Sequence, residues 1–239
     1  MKIEKEFRNI EAELRRVADP KKAKLLQRFF KTGKGEYGEG DVFLGITVPK
    51  SREIAIRHTG TNLNDIKRLL QSEIHEERLV ALLILVDKYK KCGIENEKKR
   101  LTQFYLSNAT RVNNWDLVDL TAHRILGEYL RDKNRQILYV LSRSDNVWKR
   151  RISIIATFAF INKGDFKDSL RLAKILLGDK HDLIRKAVGW VLREIGKKDA
   201  KVLREFLRKN RKEMSRVTLR YAIEKFPKAE RDKYMKSED

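Results

Sequence analysis

A single cysteine, Cys92, excludes an internal disulfide, and the four histidines (His58, His75, His123, His181) lie too far apart for zinc-ligand spacing. A reducing compartment, the cytoplasm, is the expected location. Prolines number only three, Pro20, Pro49 and Pro227, so little interrupts helices. Long apolar runs are missing as well. The stretch Val80 to Val86 is far too short to span a bilayer, and the N-terminus, Met1 to Glu6, carries charges where a signal peptide needs an apolar core. No membrane partner is expected. Period-two alternation between turns is absent, which argues against a sheet. His75-Glu76-Glu77 lacks the second histidine of a metalloprotease helix, and no Ser or Cys stands beside an obvious base. The histidines therefore read as structural.

What is abundant is basic charge: 55 Lys and Arg against 34 Asp and Glu, a net charge of +21. That balance points to a polyanionic partner, nucleic acid first, although ribosomal, membrane-surface and thermophile proteins share it. Leu, Lys, Arg, Glu and Ala dominate windows in which apolar residues fall three and four apart, so nearly everything reads as helix. Asp19-Pro20 marks a helix start running to about Lys31, with Asp as N-cap and Pro at the first helical position. Five of the 12 glycines lie in the loop 33–45. Gly33, Gly35 and Gly38 form a literal G-x-G-x-x-G, but it follows a helix instead of a strand and carries Glu36 and Glu39 where a pyrophosphate would sit, so a dinucleotide site is rejected. The loop reads as a flexible connection, with Tyr37 and Phe43 as residues able to reach a ligand.

Beyond residue 70 a weak repeat emerges. Segments beginning near Glu76, Asn114, Val147, Asp182 and Arg216 open polar or basic, turn apolar, and recur at roughly 33 to 38 residues. This is the pattern of an all-α solenoid of short HEAT-like helix pairs, here one domain over 1–239 with a frayed tail from about 228. In that register Trp115, Arg150, Arg151, Arg185, Lys186 and Trp190 come from successive second helices and share a concave face.

The three tryptophans stand among charged residues. Trp115 and Asp119 are four apart, so on a helix an indole and a carboxylate share one face. The bland alternative is a core tryptophan and a solvated acid. Trp190 lies among Arg185, Lys186 and Arg193, and two aromatics flanking one carboxylate suit a flat cation. Arg150 and Arg151 sit near a helix start, where guanidiniums oppose the helix dipole unless an anion approaches. Phosphate is the natural candidate, and Lys186 and Arg193 join them in that expectation. Trp148 reads as a packing residue.

Four stretches carry a resemblance: Phe43 to Arg52 (FLGITVPKSR), Asn114 to Asp119 (NWDLVD), Trp148 to Arg151 (WKRR) and Arg185 to Glu194 (RKAVGWVLRE). Together they resemble the AlkD-like family of DNA alkylation repair proteins, HEAT-like solenoids that include alkylpurine DNA glycosylases. The resemblance implies a catalytic aspartate at Asp119, lesion-flanking tryptophans at Trp115 and Trp190, and a phosphate-contacting arginine at Arg151. It implies excision of cationic N3- and N7-alkylated purines from double-stranded DNA without extruding the base into a protein pocket. A monomer is expected, and because a cationic purine is already a good leaving group, the chemistry requires no metal or organic cofactor. The alternative is a non-catalytic DNA- or RNA-binding solenoid, followed by a protein-interaction scaffold. Asp119 separates the first two, since a pure binder gains nothing from a carboxylate on its basic face.

Overall fold

Every regular element among the described residues is helical, and the sole β-type pairing is an isolated bridge between Val42 and Ile74. The computed structural model describes residues 2–236. By residue contacts the chain divides into two compact units, Met1–Thr121 and Ala122–Asp239. The first holds α1 (Lys2–Arg16), α2 (Pro20–Phe29), α3 (Val48–Arg57), α4 (Leu63–Leu70), α5 (His75–Lys91), α6 (Glu95–Ser107) and α7 (Trp115–Thr121). The second holds α8 (Gln136–Ser142), α9 (Val147–Ile155), α10 (Phe158–Ile161), α11 (Lys167–Leu176), α12 (Asp182–Lys198), α13 (Ala200–Asn210), α14 (Arg216–Ala222) and α15 (Lys228–Lys236).

The five repeat segments coincide with the starts of α5, α7, α9, α12 and α14. Within the first unit α4 packs on α5 and α5 on α7; within the second, α8 packs on α9, α11 on α12, and α9, α12 and α14 follow one another. Within each unit, neighbouring repeat helices thus bury their apolar stripes against one another, as the spacing predicts. The centre of the first unit is α5, buried from Leu79 to Val86 on nearly every side; the centre of the second is α12, with Ile184, Val188, Val191, Leu192 and Ile195 fully enclosed. Each such Leu or Ile contributes about 1.5–3 kcal/mol of apolar burial.

Local chemistry sets the helix ends. The Asp19 carboxylate accepts from the amides of Lys21 and Lys22 at 3.0 and 3.1 Å, satisfying two N–H groups that a first turn leaves open. Pro20 opens α2, which ends at Phe29, close to the expected Lys31. Asn146 caps α9 and Ser215 caps α14 in the same way. Residues 228–236, expected to fray, form α15, which buries none of its side chains. The last three positions of the expected tail lie outside the described residues.

The Gly-rich segment is not a slack connection. Glu36 and Glu39 accept from the amides of Gly33 and Gly35 at 2.9 and 2.8 Å, so the loop's own carboxylates fill the anion cradle of the G-x-G-x-x-G. Further on, the Glu76 carboxylate takes three consecutive amides, Leu44, Gly45 and Ile46, at 2.9, 2.8 and 3.1 Å. Gly45 has φ +84°, and a Cβ there would stand 2.1 Å from the Asp19 carbonyl oxygen, so only glycine fits between the loop and α2. Phe43, read as able to reach a ligand, is 5% exposed and packs in a cluster with Phe30 and Ala23.

Candidate functional site

Trp115 is the first residue of α7, and Asp119 follows one turn later on the same face. Both are half-buried. The indole does not point freely into solvent: it stacks on Phe30 at 5.1 Å and 11° between planes, while Phe29, 64% exposed, meets its edge at 5.9 Å. The start of α7 is fixed by its neighbours. Asn114 Oδ1 accepts from the Trp115 amide at 2.8 Å, and Asp116 Oδ1 accepts from the Leu117 amide at 2.9 Å. Tyr105, on α6, is fully buried and hydrogen-bonded to Thr121 of α7 at 3.1 Å. Burial raises the Tyr105 phenol pKa, and the nearby Asp119 charge raises it further. The half-buried Asp119 therefore lies within electrostatic reach of a buried phenol, where its charge is less screened than in open water.

Beside Trp115 lies a polar cluster that sequence reasoning missed. His75, dismissed as structural, is 2% exposed at the start of α5. Its Nε2 pairs with Asp116 at 2.8 Å and its Nδ1 with Asp41 at 3.3 Å. Asp41 also receives Arg78 Nη2 at 2.6 Å and Asn114 Nδ2 at 3.1 Å. Burial alone would lower the His75 pKa, but the Asp116 and Asp41 carboxylates outweigh it and push the pKa up to about 9. The Asp41 carboxyl is held below its ordinary value against burial by His75 and Arg78. Two carboxylates and two cations thus balance. No spacing rule finds this group, because its members come from the loop 33–45, α5 and the start of α7. An apolar cavity of about 330 Å³ opens next to it, lined by Phe29, Phe30, Phe43, Val48 and Leu79 with His75 and Asp116.

Trp190 belongs to the second unit. It is half-buried on α12, tilted against Phe158 at 4.7 Å, with its indole N–H donated to Glu194 at 3.2 Å. The preceding Gly189 explains the A-V-G-W sequence: a Cβ there would lie 2.4 Å from the Tyr221 Cβ and 2.7 Å from the Thr218 carbonyl, where α12 and α14 touch. Trp148, 6% exposed, packs in the core as expected.

The residues expected to contact phosphate have partners within the protein. Arg151 is 5% exposed and donates Nη1 to the Leu183 carbonyl, joining α9 to α12 instead of facing solvent. Arg150 finds its anion within the protein: Nε pairs with Asp179 at 2.7 Å, and Nη1 donates to the carbonyls of Ser144 and Asp145, both at 2.9 Å. Arg193 pairs with Glu224 and Glu194. Arg185 donates to the Asp179 carbonyl at 2.8 Å. Lys186 pairs with Asp182 at 2.7 Å on the surface, a contact weak enough to be exchanged for phosphate. The first unit adds a basic stretch absent from the sequence reading: Lys21, Lys22, Lys24 and Arg28 are exposed on α2 around exposed Leu25 and Phe29.

In solved structures the arrangement of helices recurs. A protein from Enterococcus faecalis described as a predicted DNA alkylation repair enzyme aligns over 88% of this chain and 97% of its own, with TM-score 0.69 and 16% identity. AlkD2 from Streptococcus mutans aligns over 85% of this chain and 99% of its own, with TM-score 0.57 and 19% identity. At such identities the likeness establishes the fold. No curated protein matches the chain. The family model of the DNA alkylation repair enzymes matches residues 10–226, nearly the whole sequence. The chain belongs to the DNA alkylation repair enzyme family.

Proposed function

We propose that this protein is a DNA glycosylase that removes cationic N3- and N7-alkylated purines from double-stranded DNA. The observation that carries the reading is the pairing on α7 of a carboxylate with an indole one turn away, the indole's plane fixed by Phe30. A cationic alkylpurine is already a good leaving group, so no acid is needed to protonate it. As the C1′–N bond breaks, the electron pair leaves with the base, which becomes neutral, and positive charge develops on the sugar. Asp119 stabilises that charge and accepts the proton of the water that adds to C1′. The Trp115 face attracts the cationic base by about 0.5–2 kcal/mol. The basic helix α2 supplies phosphate contacts on the same unit, with Lys186 as a further one on the second.

Duplex DNA carrying N7-methylguanine or N3-methyladenine, incubated with excess protein, tests this by release of free base above the no-enzyme rate. Asp119→Asn keeps size while removing the charge. It should slow single-turnover release by about tenfold to a thousandfold and leave DNA affinity intact. Release by Asp119→Asn at the wild-type rate would refute the catalytic assignment, and no release by the wild type would leave a non-catalytic DNA-binding protein.

A further inference from the structure

Trp115 is held twice by the same histidine. Through the chain, the residues on either side of it are tied to one buried pair: Asn114 Nδ2 to Asp41 at 3.1 Å and Asp116 Oδ2 to His75 at 2.8 Å. Through the rings, His75 stacks on Phe43 at 4.4 Å, Phe43 on Phe30 at 4.9 Å, and Phe30 on Trp115 at 5.1 Å. The two routes close a circuit around the indole, linking the ring and the α7 start to the same buried histidine. Such a cluster is a costly way to fill a core. Burying two carboxylates and two cations incurs desolvation that apolar residues of similar volume would avoid, and in some proteins the return on a buried ionic group is geometric definition. The cluster's hydrogen bonds fall on the turn that starts α7, one turn before Asp119.

We propose that His75 and Asp41 are positioning residues that set the orientation of the Trp115 ring and, with it, the register of Asp119. Neither touches the substrate; both act through Asn114, Asp116 and the ring stack. The effect on catalysis rests on the glycosylase reading above, whereas the effect on Trp115 does not.

The two are separable by experiment. Fluorotryptophan incorporated into the full chain gives one fluorine resonance for each of the three tryptophans, and Trp115→Phe identifies its own by loss. His75→Gln keeps a donor toward Asp116 but removes the ring and its charge; Asp116→Asn is isosteric and removes one carboxylate. Both variants should move or broaden the Trp115 resonance while leaving those of Trp148 and Trp190 in place. Base release should fall by about tenfold to a hundredfold, the effect expected of misplacement near 1 Å, with DNA affinity changed less than about threefold. An unmoved Trp115 resonance in both variants overturns the proposal. So does a joint shift of all three resonances in both, the mark of a merely structural role. If the wild type releases no base, the glycosylase reading fails alone, because the Trp115 resonance reports positioning without turnover.

Discussion

His75 carries its proton at neutral pH because Asp116 and Asp41 outweigh both the cost of burial and the repulsion of Arg78. Its folded pKa, about 9, lies above the ordinary 6.5, so the protonated form favours the folded state. The stabilisation is fully present below the ordinary value and is lost as pH rises toward the folded one. Thermal unfolding of the wild type should therefore show the midpoint falling between about pH 6.5 and 9, and His75→Gln should lack that component. His181, whose pKa burial lowers, acts with opposite sign, so the difference between wild type and variant isolates His75. An unchanged pH slope in His75→Gln would show that the imidazole is not charged in the folded protein.

At the level of single elements, the contact between α12 and α14 makes a sharp demand. Gly189 to Ala gains about 1 kcal/mol of helix propensity, yet the new methyl must displace the Tyr221 Cβ and the Thr218 carbonyl. Neither is the far end of a flexible side chain. Overpacking of this kind costs about 1–3 kcal/mol, so Gly189→Ala should lower the thermal midpoint, read by circular dichroism, despite placing a better helix former in a helix. A raised midpoint would mean that the two helices separate easily. The same contact shows why helix boundaries were readable and site chemistry was not. The Asp19-Pro20 start and the onsets of α5, α7, α9, α12 and α14 follow from residues a few positions apart. The glycine before Trp190 and the Glu76 clamp on Leu44, Gly45 and Ile46 depend on partners some thirty residues away.

Across the whole molecule a net charge of +21 predicts binding to undamaged duplex DNA with steep salt dependence. Six phosphate contacts would give a slope of about −5 in log K against log salt. Titration of affinity against salt decides this, and a flat response would count against a nucleic-acid partner. Replacing Lys21, Lys22 and Lys24 by Ala should reduce the slope by about 1 for each lost contact. Arg151→Ala should instead chiefly destabilise the fold, since its guanidinium serves the Leu183 carbonyl.

From sequence alone came the helical class, the repeat register, the α2 start, and the pairing of Trp115 with Asp119, all features of short-range periodicity and capping within one element. Only the tertiary structure decided which charges are free to meet a ligand. Arg150 and Arg151 look like phosphate contacts in W-K-R-R, yet Asp179 and the Leu183 carbonyl claim them from a neighbouring repeat. His75 looks inert in its own segment, and its pKa is raised because the loop delivers Asp41 and α7 delivers Asp116. A side chain's charge is written in the chain, but its burial and its counter-charge arise from residues that folding alone brings within hydrogen-bonding distance.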